Sequence, residues 1–114
     1  MKFYKIDDQI VFADKALSVG TELAANTTDG AHEKHVPVVT IDGENVTVKV
    51  GSVEHPSLEA HYIEFILLET DKGIHTKWLK PGMKPEAGFR LVDGEKALAA
   101  YEYCNLHGLW KAEV

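Results

Sequence analysis

A chain of 114 residues, 45% hydrophobic and 26% charged, is long enough for one domain with its own core. Its net charge of −6 leaves no basic face for a nucleic acid. Its single cysteine, Cys104, excludes an intrachain disulfide and suits a reducing compartment, and no apolar run is long enough to span a membrane.

Met1 to Ile10 contains Asp7 and Asp8 and lacks the apolar run of a signal peptide, so a cytoplasmic protein is expected. Phe3–Ile6 and Gln9–Phe12 read as short strands turning at Asp7-Asp8. Ser18 to Gly30, rich in Thr, Asn, Ala and Gly, reads as a loop or linker. Residues 1–30 are therefore set apart as an N-terminal extension, and residues 31–114 as the main domain.

From Val36 the pattern is one of strands. Val36–Ile41 is β-branched, and Asp42-Gly43 is a hairpin signal. Asn45–Val50 alternates strictly and places Val46, Val48 and Val50 on one face. Gly51–Ala60 is a loop containing Pro56. His61–Thr70 is the longest predicted strand, with Ile63, Phe65 and Leu67 on one face and Tyr62, Glu64, Ile66 and Leu68 on the other. Asp71–Gly73 turns into Ile74–Leu79, Pro81-Gly82 and Pro85 mark a longer loop, and Gly88–Val92 is a further strand. Ala97–Tyr103 carries helix-favouring alanines, but Tyr101 and Tyr103 flanking Glu102 favour a strand that delivers Cys104 to a loop. Leu109–Ala112 closes the sheet. About seven short strands separated by turn signals predict an all-β chain, an antiparallel β-sandwich with a short N-terminal extension.

Six histidines remain to be placed. His32 and His75 read as solvated surface residues. His35 precedes the first sandwich strand, His55 sits in the Gly51–Ala60 loop, and His61 opens the long strand. His107 shares one tight loop with Cys104, where Gly108 permits the turn and Trp110 is large enough to shield one side from water. Pairs close in sequence, His55 with His61 and Cys104 with His107, position two ligands per loop at little cost in chain entropy. One thiolate and four imidazoles together make a metal site.

The residue types leave the metal open. Imidazole suits zinc, copper, iron and nickel, and a thiolate favours softer ions. A closed structural zinc wants four ligands where five are on offer. A blue-copper site wants a Cys, two His and an axial Met, yet the methionines are Met1 and Met83, and neither follows His107. A cupredoxin-like electron carrier and a structural zinc module therefore stand beside an enzyme as readings of the cluster.

Four segments point to a family. Glu33-Lys34-His35-Val36-Pro37, Gly51-Ser52-Val53-Glu54-His55-Pro56, His61-Tyr62-Ile63 and Cys104-Asn105-Leu106-His107-Gly108-Leu109-Trp110 closely resemble superoxide reductase, the family of neelaredoxin and the C-terminal domain of desulfoferrodoxin. The resemblance covers roughly residues 29–114 in the family's order and spacing. It implies an immunoglobulin-like sandwich that holds one mononuclear non-haem iron. By resemblance, His35, His55, His61 and His107 are the equatorial ligands and Cys104 is the axial thiolate. Glu33 matches the glutamate that closes the sixth position of ferric iron, and Lys34 the lysine beside the open position. The activity implied is one-electron reduction of superoxide to hydrogen peroxide, with a rubredoxin-like protein as electron donor and a homo-oligomer, dimer or tetramer, as the assembly.

Two features depart from the family pattern. Ser57 follows His55-Pro56 where many relatives have methionine, which implies a packing change only. Residues 1–30 resemble the small iron-binding domain of desulfoferrodoxin without its four cysteines, and so read as a metal-free remnant of a desulforedoxin-like domain.

Overall fold

The valines at positions 46, 48 and 50 do what their alternation dictates. In the computed structural model, which describes all residues from Met1 to Val114, they are the inward face of strand β5 (Asn45–Val50) and are almost wholly buried. β5 pairs antiparallel with β4 (Pro37–Asp42) on one side and β8 (Glu86–Arg90) on the other. The β4–β5 hairpin turns at Gly43-Glu44, where Gly43 takes the positive φ of 60° that such a tight turn requires. The facing sheet has the order β10-β9-β6-β7, built from β6 (Ile63–Thr70), β7 (Gly73–Trp78), β9 (Ala97–Cys104) and β10 (Gly108–Glu113). Between the two sheets lie Val46, Val48, Val50, Ile63, Ile66, Leu68, Ala100 and Cys104. The sandwich thus has seven strands, β4 to β10, and Ala97–Cys104 is a strand as expected.

A third sheet, β2-β1-β3, comes from the N-terminal residues. Here β1 is Lys2–Ile6 and β2 is Gln9–Ala13, with Asp7 at φ 54° in the turn between them. The stretch read as linker contains a strand after all, β3 (Thr21–Leu23), which pairs with β1 from Phe3↔Leu23 to Lys5↔Thr21. Its polar composition hides it: of its three side chains only Leu23 packs on the core, and the backbone pairing with β1 supplies the rest of its hold. This sheet covers the outer face of β6 and β9. Phe3 stacks on Phe65 at 6.2 Å and leans on Tyr101 at 4.7 Å, in a second core with Leu67, Ala99, Tyr103 and Leu109. Asn26 then seals the edge of β10: its N–H donates to Leu109 O (3.0 Å), its side-chain amide donates to Lys111 O (3.1 Å), and its Oδ1 accepts from Lys111 N–H (2.8 Å).

Covering both faces of β6 explains its composition. Phe65, Ile66, Leu67 and Leu68 are all fully buried, two toward each core. Ile63 does not share a face with Phe65 and Leu67, as strict alternation predicts. It pairs with Cys104 while Phe65 pairs with Tyr103, so Glu64 is an extra residue in a bulge. That insertion turns Ile63 inward to join Ile66 and Leu68. Two further expectations change. β8 begins at Glu86, and the segment before β4 forms one short helical turn, α1 (His32–His35). His75 is not simply solvated: its Nε2 lies 3.0 Å from Glu95 Oε2, which fastens β7 to the loop before β9.

Candidate metal centre

Each candidate ligand is delivered by a different device at one end of the sandwich. α1 ends at His35, with Val36 N–H donating to His32 O. The loop after β5 must then pass very close to α1. A Cβ on Gly51 would lie 2.6 Å from Glu33 O, so only glycine permits the approach. Val53 N–H donates to Glu33 O (2.8 Å), and His55 N–H to Val50 O (2.9 Å), which tucks His55 inward. His61 sits in an isolated bridge with Leu58 just before β6. Cys104 is the last residue of β9. The turn to β10 brings His107 back beside it, and Gly108 takes φ 80° to complete that turn.

The four imidazoles form a closed ring. Neighbouring centroids are 4.8 Å apart for His35–His55, 4.5 Å for His55–His61, 5.1 Å for His61–His107 and 4.8 Å for His107–His35. Interplanar angles run from 68° to 82°, so the rings stand edge to face around a common centre. The His35–His61 diagonal is 6.4 Å. Cys104 Sγ lies 3.4 Å from His55 Nε2 and 3.9 Å from His107 Nδ1. One ligand atom from each of His35, His55, His61 and Cys104 falls within 4.8 Å of all the others; His107 closes the ring outside that tightest group.

This arrangement fits a single metal ion on three counts. The Nε2 atoms of His35 and His61 are buried without any hydrogen-bond partner, an expensive state for a polar atom unless a metal ion takes its lone pair. Half of the 6.4 Å diagonal is about 3.2 Å, which matches a metal–imidazole bond of about 2.1 Å plus roughly 1.1 Å from nitrogen to ring centroid. Backbone carbonyls also set the tautomers. His35 Nδ1–H donates to Ala31 O (2.8 Å) and His55 Nδ1–H to Pro56 O (2.7 Å), leaving each Nε2 with a free lone pair.

Electrostatics favour neutral imidazoles. Burial is the largest influence on His35, His55 and His61 and holds all three below the usual histidine range, His55 at about 4. Burial pushes the Cys104 thiol upward, against N–H donation from Leu106 and His107. Trp110, fully buried, stacks on His35 at 5.0 Å and donates its Nε1–H to His107 O (3.0 Å), as its size led us to expect of a shield. Glu33 and Lys34 are exposed on α1. Glu33's charge is felt at His35 and Lys34's at His61, and Lys34 lines an open cleft with His55, Ser57, Met83 and Lys84.

Sequence reasoning did not find the Ala31 and Pro56 carbonyls, which only the folded backbone reveals. Nor did it single out Glu102, two residues before Cys104 on β9. Glu102 is completely buried with both carboxylate oxygens unpartnered, and burial raises its pKa well above the carboxylate range. A carboxylate at a strand position flanked by Tyr101 and Tyr103 was the available signal.

A family model described as Desulfoferrodoxin matches residues 27–113. The chain belongs to the desulfoferrodoxin family. Among its desulfoferrodoxin relatives, that of Clostridium acetobutylicum is 47% identical over 102 residues, which span 86% of this chain and 79% of the other. The superoxide reductase of Pyrococcus horikoshii is 33% identical, across 75% of this chain and 90% of that one. The crystal structure of the superoxide reductase from Treponema pallidum superposes with a TM-score of 0.88 at 36% identity, covering 99% of each chain. That likeness takes in the three-stranded N-terminal sheet as well as the desulfoferrodoxin sandwich.

Proposed function

We propose that this chain is a superoxide reductase whose metal is one mononuclear iron held by His35, His55, His61, His107 and Cys104. The observation that carries the reading is the closed ring of four imidazoles beside one thiol, with the buried Nε2 atoms of His35 and His61 lacking any other partner. Bound there, iron would supply a one-electron couple, and superoxide would leave as hydrogen peroxide after gaining that electron and two protons. The residues around it do the rest. The carbonyls of Ala31 and Pro56 keep His35 and His55 in the liganding tautomer. Trp110 keeps water from one side of the ring. Lys34, at the cleft, supplies local positive charge for an anion approaching an acidic protein. Glu33, exposed on the same helical turn as His35, would offer a further carboxylate to the metal.

Two imidazoles more than a blue-copper site needs argue against an electron carrier, and Met83 Sδ already accepts from Lys80 N–H at 3.3 Å. Five donors exceed a closed zinc site. The reading extends to a rubredoxin-like electron donor, a homo-oligomer, a cytoplasmic location, and residues 1–30 as a metal-free remnant joined to a 31–114 iron-binding sandwich. No helix is long and apolar enough to cross a membrane.

Pulse radiolysis with peroxide quantification tests the reaction. The reduced, iron-loaded chain should yield one hydrogen peroxide per superoxide consumed and no dioxygen. One peroxide per two superoxides, with dioxygen, would mean dismutation and sink the proposal. Elemental analysis should return about one iron per chain.

A further inference from the structure

His61 is the one imidazole of the ring whose nitrogens make no hydrogen bond. His35 and His55 each hold a backbone carbonyl through Nδ1. The carbonyl of His107 accepts from Trp110 Nε1–H and from the Thr28 hydroxyl, and its Nδ1 faces Cys104 Sγ. The His61 ring makes no hydrogen bond, and its Nε2 is buried and unpartnered. Its placement must therefore come from the backbone. Its own peptide groups are used in the bridge to Leu58, at 2.9 and 3.0 Å.

The peptides on either side of His61 are both held by one side chain, that of Asn105. Its Oδ1 accepts from Tyr62 N–H at 2.9 Å, and its Nδ2 donates to Ala60 O at 3.1 Å. Asn105 N–H adds a bond to Tyr62 O at 3.2 Å. The amide orientation is unambiguous, because Tyr62 N–H can only donate and Ala60 O can only accept. Asn105 immediately follows Cys104, so the same short turn carries the thiolate and grips the segment that carries His61.

We infer that Asn105 is a positioning residue that locks His61 to the Cys104 turn before any metal arrives. The inference rests on the proposed role of His61 as a ligand. An amide suits this position because one planar head must both accept and donate. Aspartate keeps the acceptor and loses the donor; alanine loses both.

The test uses the full chain loaded with Co2+ and competed with a chelator, the visible Co2+ spectrum reporting the coordination. Asn105→Ala should weaken Co2+ binding by roughly 10- to 100-fold, the usual effect of removing a group that orients a ligand. Its spectrum should move toward that of His61→Ala. Asn105→Asp should lose less. The His61→Ala/Asn105→Ala double variant should bind no more weakly than His61→Ala alone, since Asn105 acts through His61. A merely structural asparagine would lower the melting temperature without moving the spectrum. Parent-like Co2+ binding by Asn105→Ala, or full additivity in the double variant, would overturn the inference while leaving the ligand set intact. Unchanged binding by His61→Ala would overturn both together. If Asn105→Ala does not fold, Asn105→Asp and Asn105→Ser carry the same comparison.

Discussion

Cys104 shows how one buried residue sets the chemistry of loading. Its side chain has no exposure, and burial holds the thiol above its usual pKa. The metal-free chain therefore carries a neutral thiol at pH 7, and a bound cation must expel that proton to obtain a thiolate. His35, His55 and His61, held below the usual histidine range by burial, already favour the neutral form and contribute little to that release. We predict that loading the parent at pH 7 releases about one proton per metal. Cys104→Ser should release none from this position, and its oxidised iron form should lose the visible thiolate charge-transfer band. A variant that keeps both signals would exclude Cys104 as a ligand.

Among the elements, the corner joining β7 to the loop before β9 is fastened by Glu95. Its carboxylate accepts from the Thr70 hydroxyl at 2.5 Å, lies 3.0 Å from His75 Nε2, and accepts from Val92 N–H at 3.1 Å. These hydrogen bonds, the Thr70 hydroxyl first, pull its pKa down from 4.5 to about 2. Between those values the unfolded chain binds more protons than the folded one. The contribution of Glu95 to stability is thus complete above pH 4.5 and is lost as pH falls toward 2. Glu95→Gln should melt below the parent at pH 7, and the gap should close over that acid window. Melting curves separated by the same interval at every pH would contradict the ionised latch.

At the scale of the whole molecule, 18 acidic residues against 12 basic ones repel an anionic substrate, and the steering proposed for Lys34 would act against that long-range field. If its charge contributes about 1.4 kcal/mol to the approach, Lys34→Ala should slow the reaction with superoxide roughly tenfold while sparing metal binding. The parent rate should fall with added salt, because screening acts over about 10 Å at 0.1 M. The variant should show a weaker salt slope, or an inverted one as the net negative charge takes over. Pulse radiolysis across a salt series decides this, and equal rates with equal slopes would remove Lys34 from steering.

Much of the sandwich was legible because side chains alternate with a period of two and so report on a strand's own two faces. Val46, Val48 and Val50 announce β5 without help from any other segment. The five side chains that the fold gathers, and that we propose as ligands, were legible as candidates too, since few residue types bind metals and the four motifs that carry them are local. What covers each face was decided elsewhere. β6 is buried on both sides only because the N-terminal sheet lays Phe3 on Phe65, and Ile63 changes sides only because Glu64 is an extra residue opposite β9. β3 has no side-chain signature, because its backbone pairing with β1 makes it a strand. The cyclic order of the imidazoles and the hold of Asn105 on Ala60 and Tyr62, more than forty residues away, are likewise long-range. Local pattern states which chemistry a residue can offer, and chain packing alone settles which distant groups meet it.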